Sequence, residues 1–276
     1  MARVRFVSRA DDLGSSHSAN VAIGRVAKAG FIKNVSIMAP GPFVEEAADM
    51  LAGRKNVCFG MHTTLNAEWD KVKWKPVSPL APDCGLLDEN GYFLNDPSLF
   101  TAARPPVETI MKEVDAQLER LHKLGFDIRY IDSHMFPEAF VEGMDDSMRE
   151  FAQKKGLVDH MYFYRLPPGL VELVTEGGNF LAYFKSLPEG QYFIVGHPSL
   201  DTPEMRQTGN ATNKGEDIAK QRAGETKMYA NPAFRFVLRL LGCEGIRYDE
   251  AVPPARATVQ ELKEALLPAV KKERNP

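Results

Sequence analysis

Four groups in this sequence carry side chains suited to metal-assisted hydrolysis, and each closes a short apolar run. They are Asp11-Asp12, His62, His134 within Ile131-Asp132-Ser133-His134, and His197 within Gly196-His197-Pro198. A divalent ion of borderline softness accepts one carboxylate oxygen and two imidazole nitrogens while keeping positions open for water and substrate. Asp12, His62 and His134 can supply that set. Asp11, a neighbouring carboxylate outside the ligand set, is placed to take a proton from an attacking water, and His197 to protonate a leaving group. Asp132, two residues before His134, is a candidate to orient a histidine from behind. Taken singly, each residue has a plainer reading as a turn, helix-cap or hydrogen-bonded structural group. The combination of two carboxylates and three imidazoles is what points to a site. The chain has 6 histidines, and the other three, His17, His122 and His160, do not close such runs.

The elements that must position these groups follow from periodicity. Strand-like runs extend from Val4 to Ser8, Val35 to Ala39, Val57 to Thr63, Ile128 to Ser133, Met161 to Tyr164, Tyr192 to Gly196 and Gly245 to Tyr248. Helical patterns lie between or after them, from Ala19 to Ala29, Val44 to Leu51, Val107 to Leu124, Met144 to Lys155, Gln221 to Leu241 and Val259 to Val270. This alternation predicts an α/β fold with about seven parallel strands, closed as a barrel rather than stacked as a sandwich. Such barrels form one domain at this length, so residues 1–276 are expected to be a single domain. Their chemistry sits at the carboxyl ends of the strands, which is where the four groups fall.

Residues 66–106 break the rhythm. They hold Pro76, Pro79, Pro82, Pro97, Pro105 and Pro106, together with Trp69, Trp74, Tyr92 and Phe93. An irregular excursion of roughly forty residues suggests a substrate-side insertion or lid. Trp69 and Trp74 are candidates to stack on the apolar face of a sugar ring, or to anchor the loop on the barrel.

Composition excludes several classes. With 34 Lys+Arg against 37 Asp+Glu, the net charge of -3 offers no broad positive field, so no nucleic-acid partner is expected. No segment has the uninterrupted apolar length of a signal peptide core or a membrane span, which predicts a cytoplasmic protein without a membrane partner. Cys58, Cys84 and Cys243 are widely spaced and read as reduced thiols. Apolar positions on the last helices leave room for a homodimer.

Arg9-Ala10-Asp11-Asp12-Leu13-Gly14 resembles the Asn-Ala-Asp-Asp-Phe-Gly signature of the YdjC-like carbohydrate deacetylases. Further blocks agree in order: Gly60-Met61-His62-Thr63-Thr64-Leu65, Asp132-Ser133-His134, Arg165-Leu166-Pro167, Gly196-His197-Pro198 and Arg222-Ala223-Gly224-Glu225. The resemblance implies a distorted TIM-barrel-like fold and a hydrolase that removes the N-acetyl group of an amino sugar or small N-acetylated oligosaccharide, releasing acetate. It implies one divalent metal held by Asp12, His62 and His134, with Asp11 as base, His197 as acid and Arg165 on the substrate side. Zinc or magnesium suits the ligand set best, with manganese, cobalt or nickel as alternatives. The chain departs from the pattern at Arg9, where the family has Asn, at Met135-Phe136-Pro137, where many members continue with histidines, and at Ser199, where Gly is usual. These departures point to altered substrate choice. A related amide or ester hydrolase and a non-catalytic carbohydrate-binding relative are the competing readings.

Overall fold

The computed structural model describes residues 2–170, 173 and 178–264. Among these, one curled sheet contains β1 (Val4–Leu13), β2 (Asn34–Ile37), β3 (Cys58–Thr63), β4 (Ile128–Ser133), β5 (Val158–Asp159), β6 (Gly190–Gly196) and β7 (Cys243–Ile246). Every pairing is parallel, in the order β5-β4-β3-β2-β1-β6, with β7 also against β1. The fold is the expected distorted TIM-barrel-like one, in half-barrel form: β5 and β6 do not pair. Phe193 N–H donates to Arg165 O across that gap at 2.7 Å.

β1 is the hub of the sheet. One of its edges carries β6 from Val4↔Gly190 to Ala10↔Gly196. The other is shared, with β7 on Val4 to Val7 and β2 from Arg9 onward. Asn34 closes the seam between β7 and β2. Its amide donates to Ser8 O at 3.0 Å and Ile246 O at 2.9 Å, and its oxygen accepts from Tyr248 N–H at 2.9 Å.

Two apolar layers separate inside from outside. Phe6, Phe59 and Met61 face the surrounding helices, whereas Val7, Cys58, Tyr130, Phe193 and Tyr248 fill the lumen. Period-2 alternation then carries Arg9 and Asp11 of β1, His62 of β3 and Asp132 of β4 inward above that plug. Gly60 is required for this packing, since a Cβ there would lie 2.2 Å from the Tyr130 ring.

The outer layer holds α1 (His17–Ala29), α2 (Val44–Leu51), α3 (Phe100–Ala103), α4 (Val107–Lys123), α5 (Met144–Lys155), α6 (Phe180–Ser186), α7 (Gly215–Ala230) and α8 (Pro232–Leu240). Ser16 caps α1 by accepting from Ala19 N–H at 3.0 Å, and Gly30 ends it at φ 83°. No described helix is long and apolar enough to cross a membrane.

Three sequence expectations are corrected. The strand expected from Met161 to Tyr164 is instead the two-residue β5 followed by a 3₁₀ turn, His160–Tyr162, because the Asp159 carboxylate caps that turn through Met161 N–H. The helix expected from Gln221 to Leu241 is two helices. Pro232 has no N–H to continue the ladder and forces Asn231 out of helical geometry, where Asn231 caps α8. Of the helix expected from Val259 to Val270, residues 259–264 are helical and the remainder lies outside the described residues.

The 66–106 excursion is irregular but packed. Trp74, Leu86, Phe93 and Phe100 are buried in the main core. Burying side chains of this size contributes about 1.5–3 kcal/mol each, which offsets the ordering of an irregular chain. Glu113 of α4 ties the segment down by accepting from Val77 N–H at 2.9 Å and Ser78 N–H at 2.8 Å.

Candidate active site

β1 runs to Leu13, so Asp11 and Asp12 lie within its last residues rather than after it. Adjacent strand residues normally face opposite sides, yet both carboxylates reach one end of the barrel. Asp12 does so with φ 70°, the left-handed region that non-glycine residues rarely adopt, where the β1–β2 register slips between Ala10 and Leu13. Backbone strain at this point sets the aim of a functional side chain.

Asp12 Oδ2 accepts from Arg222 at 2.7 Å. Its Oδ1 is buried and has no hydrogen-bond partner among the described residues. That oxygen lies 3.7 Å from His62 Nε2 and 3.7 Å from His134 Nδ1, while the two nitrogens are 3.2 Å apart. Such spacings suit ligand atoms each roughly 2.1 Å from a common ion. Asp12, His62 and His134 therefore fit a divalent cation, and the unsatisfied Oδ1 is the observation that argues for one.

Both imidazoles are oriented from behind by carboxylates. His62 Nδ1 contacts Asp132 Oδ2 at 2.6 Å, and His134 Nε2 contacts Glu68 Oε2 at 2.9 Å, leaving the other ring nitrogen of each to face the cluster. Asp132 is itself held by Ser36 at 2.8 Å and Arg9 at 3.1 Å. Burial opposes charge on His62, but the Asp132 and Asp11 carboxylates outweigh it and carry the pKa up to about 9. Burial also opposes the charge of Asp12, yet Arg222, with the three histidines, holds its carboxyl well below the usual range.

Asp11 is gripped by Arg9, whose Nε and Nη2 donate to its two oxygens at 2.6 and 2.7 Å. The Arg9 guanidinium also sits 4.8 Å over the Phe193 ring. His197 follows β6, and its backbone N–H donates to Glu225 Oε2 at 2.5 Å. Arg222 and Glu225 are neighbours one turn apart on α7, so one helix face fixes both Asp12 and the His197 loop. Asp11, Arg9 and His197 line a cavity of about 480 Å³, whose other walls include Met135, Phe136, Tyr164 and Phe193.

The remaining expected residues are distributed differently. Arg165 is exposed, stacks 5.3 Å over the Tyr192 ring and does not line the cavity, so the structure does not bring it to the site. Trp74 is 3% exposed, donates its indole N–H to Asn66 O at 2.7 Å and sets its ring edge-on to His134 at 6.2 Å. That burial favours the loop-anchor alternative for Trp74, which also borders a smaller pocket. Trp69 is half-buried beside Asp12, Glu68 and Arg222 in the same pocket. Trp74→Ala should accordingly destabilise the fold by about 3–5 kcal/mol and lower Tm. Trp69→Ala should leave Tm nearly unchanged; a larger drop for Trp69 than for Trp74 would reverse the assignment.

Sequence reasoning did not single out Glu68, which lies on the irregular excursion, or the Arg9 clamp on Asp11 and Asp132. Arg222 and Glu225 stood in the sequence as an Arg-x-x-Glu block without an assigned role.

The family model described as YdjC-like protein matches residues 5–239. The chain is 27% identical over 220 residues to a carbohydrate deacetylase of Thermoanaerobacter pseudethanolicus, covering 72% of this chain and 83% of that one. It is 27% identical over 229 residues to a carbohydrate deacetylase of Thermus thermophilus, covering 71% and 78%. Among solved structures it superposes on an Enterococcus faecalis V583 protein provisionally assigned to cellobiose-phosphate cleavage, with a TM-score of 0.69 and 17% identity over 91% of this chain and 99% of that one. That similarity supports the fold. The family match spans both carboxylates, all three site histidines and the Arg222–Glu225 helix, and the chain belongs to the YdjC-like family.

Proposed function

We propose that this protein is a metal-dependent hydrolase that removes the N-acetyl group from an amino sugar or a small N-acetylated oligosaccharide, releasing acetate. The observation that carries the reading is the unpartnered Asp12 Oδ1 facing His62 Nε2 and His134 Nδ1, with the Asp11 carboxylate adjacent in sequence. The carbohydrate deacetylase relatives supply the substrate class.

A divalent cation held by Asp12, His62 and His134 would polarise the amide carbonyl and raise the acidity of water. Asp11 accepts the proton of the attacking water as the new C–O bond forms. Arg9, bound to both Asp11 oxygens, fixes that carboxylate in place, and each oxygen retains a lone pair for the proton. His197 delivers a proton to the amide nitrogen as the C–N bond breaks, so that the free amine and acetate leave. Asp132 and Glu68 keep the two ligand imidazoles in the required tautomers.

The test is acetate release from N-acetylglucosamine and its short oligomers, before chelation, after it, and after adding back zinc, magnesium, manganese, cobalt or nickel. Activity is expected to vanish on chelation and return with at least one ion. Absence of acetate release with all five would overturn the reading.

A further inference from the structure

The 480 Å³ cavity is far larger than an acetyl group requires and falls in the range that holds a small organic ligand. Two of its lining side chains take no part in the chemistry above, and each has an unsatisfied polar atom. Glu138, 8% exposed, receives a hydrogen bond from Ser133 on Oε1, while its Oε2 is buried without a partner among the described residues. His160, 6% exposed, meets Tyr248 through Nδ1 at 2.6 Å, while its Nε2 is likewise buried and unpartnered. The two orphans are complementary in sense. Burial keeps His160 neutral, and its Nδ1 is the one acceptor among the described residues placed for the Tyr248 hydroxyl proton, which assigns the imidazole proton to Nε2.

Arg256, a cation on the same cavity wall, is already engaged. Arg256 pairs with Asp145 at 2.7 and 2.8 Å and with Asp159 at 2.7 Å. Burial, reinforced by those two aspartates, pushes the Glu138 carboxyl up to about 7. A buried polar atom without a partner destabilises a fold, and retaining one acceptor and one donor beside the same cavity suits a ligand that supplies the missing partners. Sugar hydroxyls can answer each of them, since every hydroxyl both donates and accepts. The aromatic walls, Phe136, Phe140, Tyr164 and Phe193, suit the apolar face of a pyranose ring.

We propose that Glu138 and His160 form a hydroxyl-recognition subsite that holds a sugar ring of the substrate in this cavity while the N-acetyl group lies against Asp11 and His197. The inference rests on the deacetylase reading of the same site and assigns its saccharide specificity to two residues outside the reacting set.

The experiment compares two substrates, the N-acetylglucosamine disaccharide and N-acetylethanolamine, which has the amide but no ring. Glu138→Met and His160→Leu should each lower kcat/KM for the disaccharide about tenfold, the loss expected for one substrate hydrogen bond, and change that for N-acetylethanolamine less than about twofold. Glu138→Gln, which retains an acceptor, should recover part of the loss. Tm of Glu138→Met should change little, because removal of an unsatisfied buried oxygen offsets the lost hydrogen bond from Ser133. Equal losses on both substrates, or none on either, would overturn the proposal.

Should the wild-type protein release no acetate from any sugar, the deacetylase reading fails on its own. The subsite is then judged by calorimetric binding of a β-linked glucose disaccharide, which has no amide. Binding at least tenfold weaker in Glu138→Met supports the subsite, and equal binding refutes it.

Discussion

Replacing Asp12, His62 or His134 with Ala should strip the divalent ion and abolish turnover while the barrel survives. The three side chains contribute only one ligand atom each, so removal of any one leaves two donors and a set too poor to retain the ion against dilution or a mild chelator. The loss should exceed the 10–100-fold drop in affinity typical when an outer partner of a ligand is removed, and that smaller drop is itself the expectation for Asp132→Ala and Glu68→Ala. Asp12→Ala has a further signature. It frees the Arg222 guanidinium, 12% exposed, from its 2.7 Å carboxylate partner, so Tm should fall more than in His134→Ala. Elemental analysis of the purified variants decides the matter: wild-type stoichiometry in all three Ala variants would sink the ligand assignment.

Asp11→Asn should keep the ion and lose roughly 10² to 10⁴-fold in kcat, the range for removing a general base. The amide still offers an oxygen to Arg9 but no longer carries charge, so the buried guanidinium depends on Asp132 alone. A lower Tm is therefore expected, and the rates must be compared well below it. His197→Ala should hurt substrates with poor leaving groups most, since an activated ester departs without a proton. An Asp11→Asn enzyme with wild-type kcat would remove Asp11 from the chemistry, and equal damage to amides and activated esters in the His197 variant would remove its role as acid.

What could be read from the sequence follows where the physics is local. The runs at Val57 to Thr63 and Ile128 to Ser133, and the helices at Val44 to Leu51 and Met144 to Lys155, match the observed elements within a residue, because strands covered on both faces read as short apolar runs and helices covered on one face display their period directly. Strand-end placement of Asp11, Asp12, His62, His134 and His197 was legible for the same reason. Asp132 could be anticipated as an orienting carboxylate from its two-residue spacing to His134, although its histidine proved to be His62 on the neighbouring strand. Glu68 could not, because its contact with His134 spans 66 residues and arises from an irregular segment without periodicity. The Arg9 clamp was hidden differently: period 2 places Arg9 and Asp11 on one face, but nothing local shows that one guanidinium also reaches Asp132, 123 positions later.

The seating of β1 between early and late partners has a consequence for biosynthesis. The first strand emerges from the ribosome with Asp11 and Asp12 already in it, yet β6 pairs from Gly190 and β7 only from Cys243. At 5–20 residues per second, one whole edge of β1 waits about 10–40 s for β6, and half of the other about 10–50 s for β7. Arg222 and His197 arrive in the same late stretch, so neither the counter-charge on Asp12 nor the imidazole proposed as acid exists during that interval. Ribosome-bound intermediates stalled before Gly190 should thus expose a sticky strand edge, engage chaperones and fail to retain metal, whereas chains stalled far enough beyond Ile246 to clear the exit tunnel should do neither.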